Sequence, residues 1–193
     1  MLLIVSLLAI LFQLLTFATV FGFTPVYAEA LAATKLDMGL LTFFSTFPTA
    51  IAAWYGGKYL ANRIGEKNVI IAGFLLSGIF TAVIPLTSHL GALMFTQAIA
   101  GFGRGLATPI LMALSIKYIE SGKRATAMGF YQAIYGLGMF MGPLFMGVAG
   151  DLLTLKQGFV IVGVLGCTAA WLTHILIQTK SSSAGMQAYA HKM

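Results

Sequence analysis

Charge is scarce in this sequence: only 8% of its 193 residues are Asp, Glu, Lys or Arg. A soluble domain carries about a quarter. With 59% hydrophobic residues and a mean hydropathy of +0.94, the chain lacks the polar groups to cover a globule in water. Its outer surface must therefore face lipid. Cysteine is nearly absent. The single Cys167 lies in an apolar stretch, which excludes a disulfide framework and a cysteine metal site. The histidines, at positions 89, 174 and 191, are too scattered for a His-rich metal motif, so neither metal nor cofactor is expected. Acidic residues number 5 against 11 basic ones, a net charge of +6 that taken by itself points to nucleic acid. The basic residues lie between apolar stretches, where loop charges that set membrane orientation explain them better. No nucleic-acid partner is expected.

What the chain has instead is long apolar runs. A bilayer span takes about 20 apolar residues in a helix. Six stretches qualify: roughly Leu2 to Thr24, Met38 to Gly57, Val69 to Leu86, Ala92 to Ile116, Ala125 to Ala149 and Phe159 to Ile177. The first is read as a retained helix rather than a secretory signal, because no Lys or Arg precedes it and the run exceeds the usual apolar core of about 7–15 residues. The breaks carry charge and turn formers, as in Arg63-Ile64-Gly65-Glu66-Lys67 and Ser88-His89-Leu90-Gly91. The reading is an all-α membrane protein: a six-helix transmembrane domain over 1–179 and a disordered tail over 180–193, rich in Ser.

The loop charges give an orientation. With the amino end inside, Lys58, Arg63, Lys67, Lys117, Lys123, Arg124, Lys180 and Lys192 fall on the cytoplasmic side, and only Lys35 and Lys156 fall outside. That asymmetry places both termini in the cytoplasm of a multi-pass cell-membrane protein. Losing one helix would scramble the sorting, so it also supports the count of six.

Arg104 stands apart from these loop charges. It lies about 12 residues from either end of the fourth stretch, which at 1.5 Å per residue is about 18 Å deep. A charge at that depth costs at least ~2.5–3.5 kcal/mol and should face a cavity or the bundle interior. The acids Glu29, Asp37 and Asp151 sit at outer helix ends, and Glu66 and Glu120 in inner loops, so none is expected to meet it. Its partner is then a ligand, backbone carbonyls, water or a residue of another chain. The structural alternative is an arginine that satisfies carbonyls freed by Gly101, Gly103 and Gly105.

Gln97, Gly101, Arg104, Thr108 and Ser115 recur at helical spacing and share one face. Shorter polar stripes mark the first helix (Gln13, Thr16) and the fifth (Gln132, Tyr135), whereas the third is almost wholly apolar and is read as lipid-facing. Taken singly, such residues serve as interhelical hydrogen bonds. As a converging set they favour an aqueous path. The pairs Thr24-Pro25 and Thr108-Pro109, with Met38-Gly39 and Met128-Gly129, hint at a repeat of three helices plus three. Gly138, Gly142, Pro143 and Gly147 allow close approach and a kink in the fifth helix.

Two of these segments carry a resemblance. The loop Gly57-Lys58-Tyr59-Leu60-Ala61-Asn62-Arg63-Ile64-Gly65-Glu66-Lys67 resembles the loop signature of the major facilitator superfamily, matching at Leu60, Ala61, Arg63, Gly65 and Lys67. The run Gly138-Met139-Phe140-Met141-Gly142-Pro143 resembles the Gly-x-x-x-Gly-Pro motif of that superfamily's drug exporters. Asn62 stands where the family has Asp, Lys58 where it has Gly, and Gln97 where a first half has a motif arginine. These departures, the short tail and the missing basic lead-in resemble a second half, helices seven to twelve of a twelve-helix member. The resemblance implies half of a major facilitator fold, a 3+3 inverted repeat in which the first and fourth helices line the cavity and the third and sixth lie outermost.

The expected function is secondary active transport of a small solute by alternating access, with proton-coupled efflux implied by the family. Arg104 would meet substrate charge or gate the path, with Gln97, Thr108, Gln132, Tyr135, Gln13 and Thr16 as polar wall. Lys58, Asn62, Arg63, Gly65 and Lys67, with Gly138, Gly142 and Pro143, would serve conformational change. Expected partners are the lipid bilayer, a small-molecule substrate with protons, and a second six-helix half or a homodimer. The alternative is a non-transporting fragment or membrane scaffold that binds a partner through its Gly-rich faces. An intramembrane serine protease is disfavoured: Ser77 follows Leu75-Leu76 rather than a Gly-x lead-in, and His174 lies near the opposite, cytoplasmic end of a helix from any candidate serine.

Overall fold

The computed structural model describes residues 1–177, apart from the side chains of Gly57 and Lys58. The expected tail over 180–193 lies outside the described residues. Among the described residues, six helices are long and apolar enough to cross a membrane: α1 Leu2–Ala30, α2 Lys35–Tyr55, α3 Glu66–Leu86, α4 Leu90–Lys117, α5 Ser121–Leu152 and α6 Leu155–Leu176. Short polar residues start several of them. Thr34 and Asp37 form a reciprocal capping box at α2, with the Thr34 amide and hydroxyl donating to Asp37 Oδ2 at 2.8 and 2.7 Å. The Thr154 hydroxyl accepts the Gln157 amide at α6, and His89 Nδ1 accepts the Ala92 amide at α4. Each cap satisfies a backbone donor that the helix cannot satisfy itself.

α1 is longer than the sequence suggests. Pro25 looks like a stop, but a π-helical turn at Thr19–Phe23 widens the helix just before it, and α-helix resumes over Thr24–Ala30. Proline sits in the first turn of that new segment, where its missing N–H costs nothing. Tyr27 then ties this upper segment to the α3–α4 turn by donating to the Thr87 carbonyl at 3.0 Å.

The helices pack in a continuous order. α2 lies on α4, α4 on α3, α3 on α6, α6 on α1 and α1 on α5, while α1 and α4 also meet across the centre. Exchanging the first three helices for the last three maps α2–α4 onto α1–α5 and α3–α4 onto α1–α6, and leaves α3–α6 and α1–α4 unchanged. Because three is an odd number, exchanged partners run in opposite directions, which is the inverted repeat of a major facilitator half. Glycine sets the spacing at the two flanking pairs. A Cβ on Gly105 of α4 would strike the Thr49 carbonyl of α2, and one on Gly142 of α5 would come within 2.7 Å of the Leu14 carbonyl of α1. Backbones this close leave no room for any larger residue.

α3 is more enclosed than its apolar sequence predicts. Its Ile70, Phe74, Ser77 and Thr81 are buried between α4 and α6, and Ser77 donates to the Ala100 carbonyl at 3.1 Å. The most exposed spans are instead α2 and α5, which show Phe43, Phe47 and Trp54, and Phe140, Leu144 and Val148. Hydropathy reports what a helix face tolerates. It does not report how many neighbours the fold gives it.

Candidate functional site: the α1–α4 seam

The seam between α1 and α4 is where the polar side chains of the bundle collect. Gly101 has no side chain, so α2 comes close enough for the Thr49 hydroxyl to donate to the Gly101 carbonyl at 2.8 Å. The same approach brings Ser45 of α2 over Arg104, one turn further along α4. Arg104 is 5% exposed. Its Nη2 donates to Ser45 Oγ at 2.9 Å and to the Ser45 carbonyl at 3.3 Å. Its Nη1 is buried and has no partner. Among the described residues the ion pairs are Lys117–Glu66 and Lys123–Glu120, so no carboxylate meets the guanidinium. Half of Arg104 is thus satisfied by the fold, and half is left for something else.

Three cavities follow one another along this seam. The central one, about 260 Å³, is walled by Arg104, Thr108, Gln13, Thr16, Ser45 and Thr49, with Thr46, Val20 and neighbouring aromatics. Toward the α1–α2 turn it shares Val20 and Ser45 with a second cavity of about 230 Å³, which reaches Gln97, Thr24, Thr42 and Glu29. Toward the other end it shares Gln13 and Thr108 with a small cavity of about 50 Å³ beside Tyr131 and Tyr135. The two larger cavities together reach the range of ligand sites, about 300–1,000 Å³. None of the three takes a wall from α3 or α6, which pack behind the seam.

The expected wall residues therefore divide. Arg104, Thr108, Gln13 and Thr16 converge on the central cavity, Gln97 on the second and Tyr135 on the small one. Gln97 is 1% exposed, and neither atom of its amide has a partner. Gln132 lines none of these cavities and lies on the exposed face of α5. One residue past buried Tyr131, it is turned about 100° away from the seam. Ser115 is buried with its hydroxyl donating to the Met112 carbonyl and also stays off the cavities. α2 adds Thr42, Ser45, Thr46 and Thr49, which are not among the expected wall residues although they repeat at the same three- and four-residue steps as the polar face of α4. Glu29, an outer helix-end residue by its position in the sequence, is also a cavity wall, because α1 continues past Pro25.

The residues expected to serve conformational change lie elsewhere. Lys58 falls in the π-turn Gly56–Leu60, with its side chain outside the described residues. Asn62 and Arg63 are exposed on the short turn Ala61–Ile64, and Lys67 lies in the first turn of α3. Gly65 joins these elements with φ +87° and ψ 147°, a backbone that favours glycine. Beside it, Glu66 accepts from Lys117 Nζ at 2.8 Å, clasping the start of α3 to the end of α4. Gly138 and Gly142 face the α1 backbone, and Pro143 lies inside α5. No group of His, Cys, Asp and Glu able to hold a metal occurs among the described residues.

Comparison with known proteins fits this arrangement. The family model described as Major Facilitator Superfamily matches residues 5–188. The quinolone resistance protein NorA of Staphylococcus aureus is 28% identical over 167 residues, covering 84% of this chain and 42% of that protein. An uncharacterized MFS-type transporter of Methanocaldococcus jannaschii is 25% identical over 170 residues, covering 84% of this chain and 44% of that one. The chain thus spans less than half the length of these relatives.

Proposed function

The chain belongs to the major facilitator superfamily, and on that premise we propose that its α1–α4 seam is one wall of the solute path of a secondary transporter. The superfamily is one of multi-pass membrane transporters rather than enzymes. Alternating access by a pair of six-helix units, coupled to protons and directed outward, is the reading we adopt. Efflux is favoured because one relative bears the name of a drug-resistance protein. Both termini would be cytoplasmic, from the loop charges.

One observation carries the proposal: Arg104 Nη1 is buried without a partner while Arg104 lines the central cavity. A buried cationic donor left unmade is costly, and such residues in membrane spans mark solute pathways. A scaffold that binds partners through its Gly-rich faces is disfavoured. Gly101, Gly105, Gly138 and Gly142 are all occupied by contacts inside the bundle.

The test is accumulation of a fluorescent quinolone by cells that express the chain. Expression of the unaltered chain should lower accumulation, and Arg104→Met at equal membrane abundance should restore it. Equal export by both proteins would leave Arg104 with a structural role alone.

A further inference from the structure

The second cavity of the seam holds a feature that solute passage alone leaves unexplained. Gln97, with Nε2 and Oε1 both unpartnered, is joined there by Thr24, whose buried Oγ1 also lacks a partner. Both side chains are 1% exposed. Burying an amide and a hydroxyl with nothing to bond is unfavourable, and two on the wall of one cavity leave bonds for an occupant to make. The charge of this cavity is also distinctive. Its one ionised wall group is the Glu29 carboxylate, which lies exposed at the α1–α2 end and outside both described ion pairs. No Lys or Arg lines it. A carboxylate, an amide oxygen and hydroxyls together accept the N–H groups of an ammonium and neutralise its charge.

The adjoining central cavity has the opposite character, because Arg104 is its one charged wall. Ser45 and Val20 are walls common to both, and Ser45 holds Arg104 Nη2 at 2.9 Å. Gln97 and Arg104 are seven residues apart on α4, about 10 Å of helical rise. We infer that the two cavities form one site for a zwitterionic organic solute, with its anionic group on Arg104 and its protonated amine on Gln97 and Glu29. This rests on the seam being a solute path and names the class of solute it takes.

The test is calorimetric titration of the chain in lipid nanodiscs with three probes of similar size. These are para-(aminoethyl)benzoate, which carries both charges, para-ethylbenzoate with the anion alone, and phenylethylamine with the cation alone. The doubly charged probe should bind about tenfold more tightly than para-ethylbenzoate, the effect of one charge-assisted hydrogen bond. Glu29→Gln, an exposed and conservative change, should bring it down to the affinity of para-ethylbenzoate and leave the latter unmoved. Arg104→Gln should weaken both carboxylates. Equal affinity of the two carboxylates, or indifference to Glu29→Gln, overturns the amine subsite while Arg104-dependent binding of para-ethylbenzoate keeps the solute path. Absence of any Arg104-dependent binding overturns both.

Discussion

Arg104 and Ser45 show how a membrane interior tolerates a charge that it also puts to use. The guanidinium is held on one side by the Ser45 hydroxyl and carbonyl, and bare on the other. Two substitutions separate these sides. Ser45→Ala removes a partner and keeps the charge, so it should lower stability by about 1–3 kcal/mol. Arg104→Met removes the charge and fills the space, and the protein should be at least as stable as the original. Unfolding of both variants in mixed detergent micelles measures this. Equal losses in the two would mean that the arginine stabilises the fold through contacts beyond its bonds to Ser45. At this scale the sequence was half legible. The depth of Arg104 and its distance from every acid followed from spacing along the chain. The bond to Ser45 did not, because it depends on how closely α2 approaches Gly101.

At the scale of helices, the glycines of the exporter-like motif have a packing task. Gly142 faces the Leu14 carbonyl and the Ala18 amide of α1 at 2.7 and 2.8 Å from where a Cβ would stand, whereas a Cβ on Gly136, on the same helix, meets nothing within 4 Å. Gly136→Ala should therefore stabilise the protein by up to about 1 kcal/mol through helix propensity. Gly142→Ala should destabilise it, because a backbone has to move, by about 1–3 kcal/mol. Thermal unfolding in detergent compares the two, and a matching gain at both positions would refute the close contact. Gly65 is a different case. A Cβ there meets open space, but φ is +87°, so Gly65→Ala should cost about 1–3 kcal/mol through backbone strain alone. The motif residues were readable as residues. What each glycine is for, a close contact or a turn, was not, since both needs write the same letter.

For the molecule as a whole, α2 and α5 flank the seam and expose the aromatic and aliphatic side chains of Phe43, Phe47, Trp54, Phe140 and Leu144. The polar walls of the seam stand between them, and polar groups left facing lipid are costly. The chain in nanodiscs should accordingly form a dimer, or pair with a separate six-helix unit, by native mass spectrometry. A persistent monomer would point to a half-path closed by lipid. Orientation is tested by single cysteines in a Cys167→Ser background. A membrane-impermeant maleimide added to intact cells should label Ser88→Cys in the α3–α4 turn and spare Ser121→Cys at the start of α5.

Hydropathy was enough to count the spans, and two short motifs were enough to name the family, because both are properties of contiguous residues. Placing Gln13, Thr16, Thr108 and Arg104 around one cavity, and turning Gln132 away from it, required the packing of α1, α2, α4 and α5. So did the enclosure of apolar α3 and the place of Glu29 on a cavity wall beside buried Gln97. These depend on the distance and rotation between helices, which glycine contacts far apart in the chain set together, and no run of neighbouring residues encodes them.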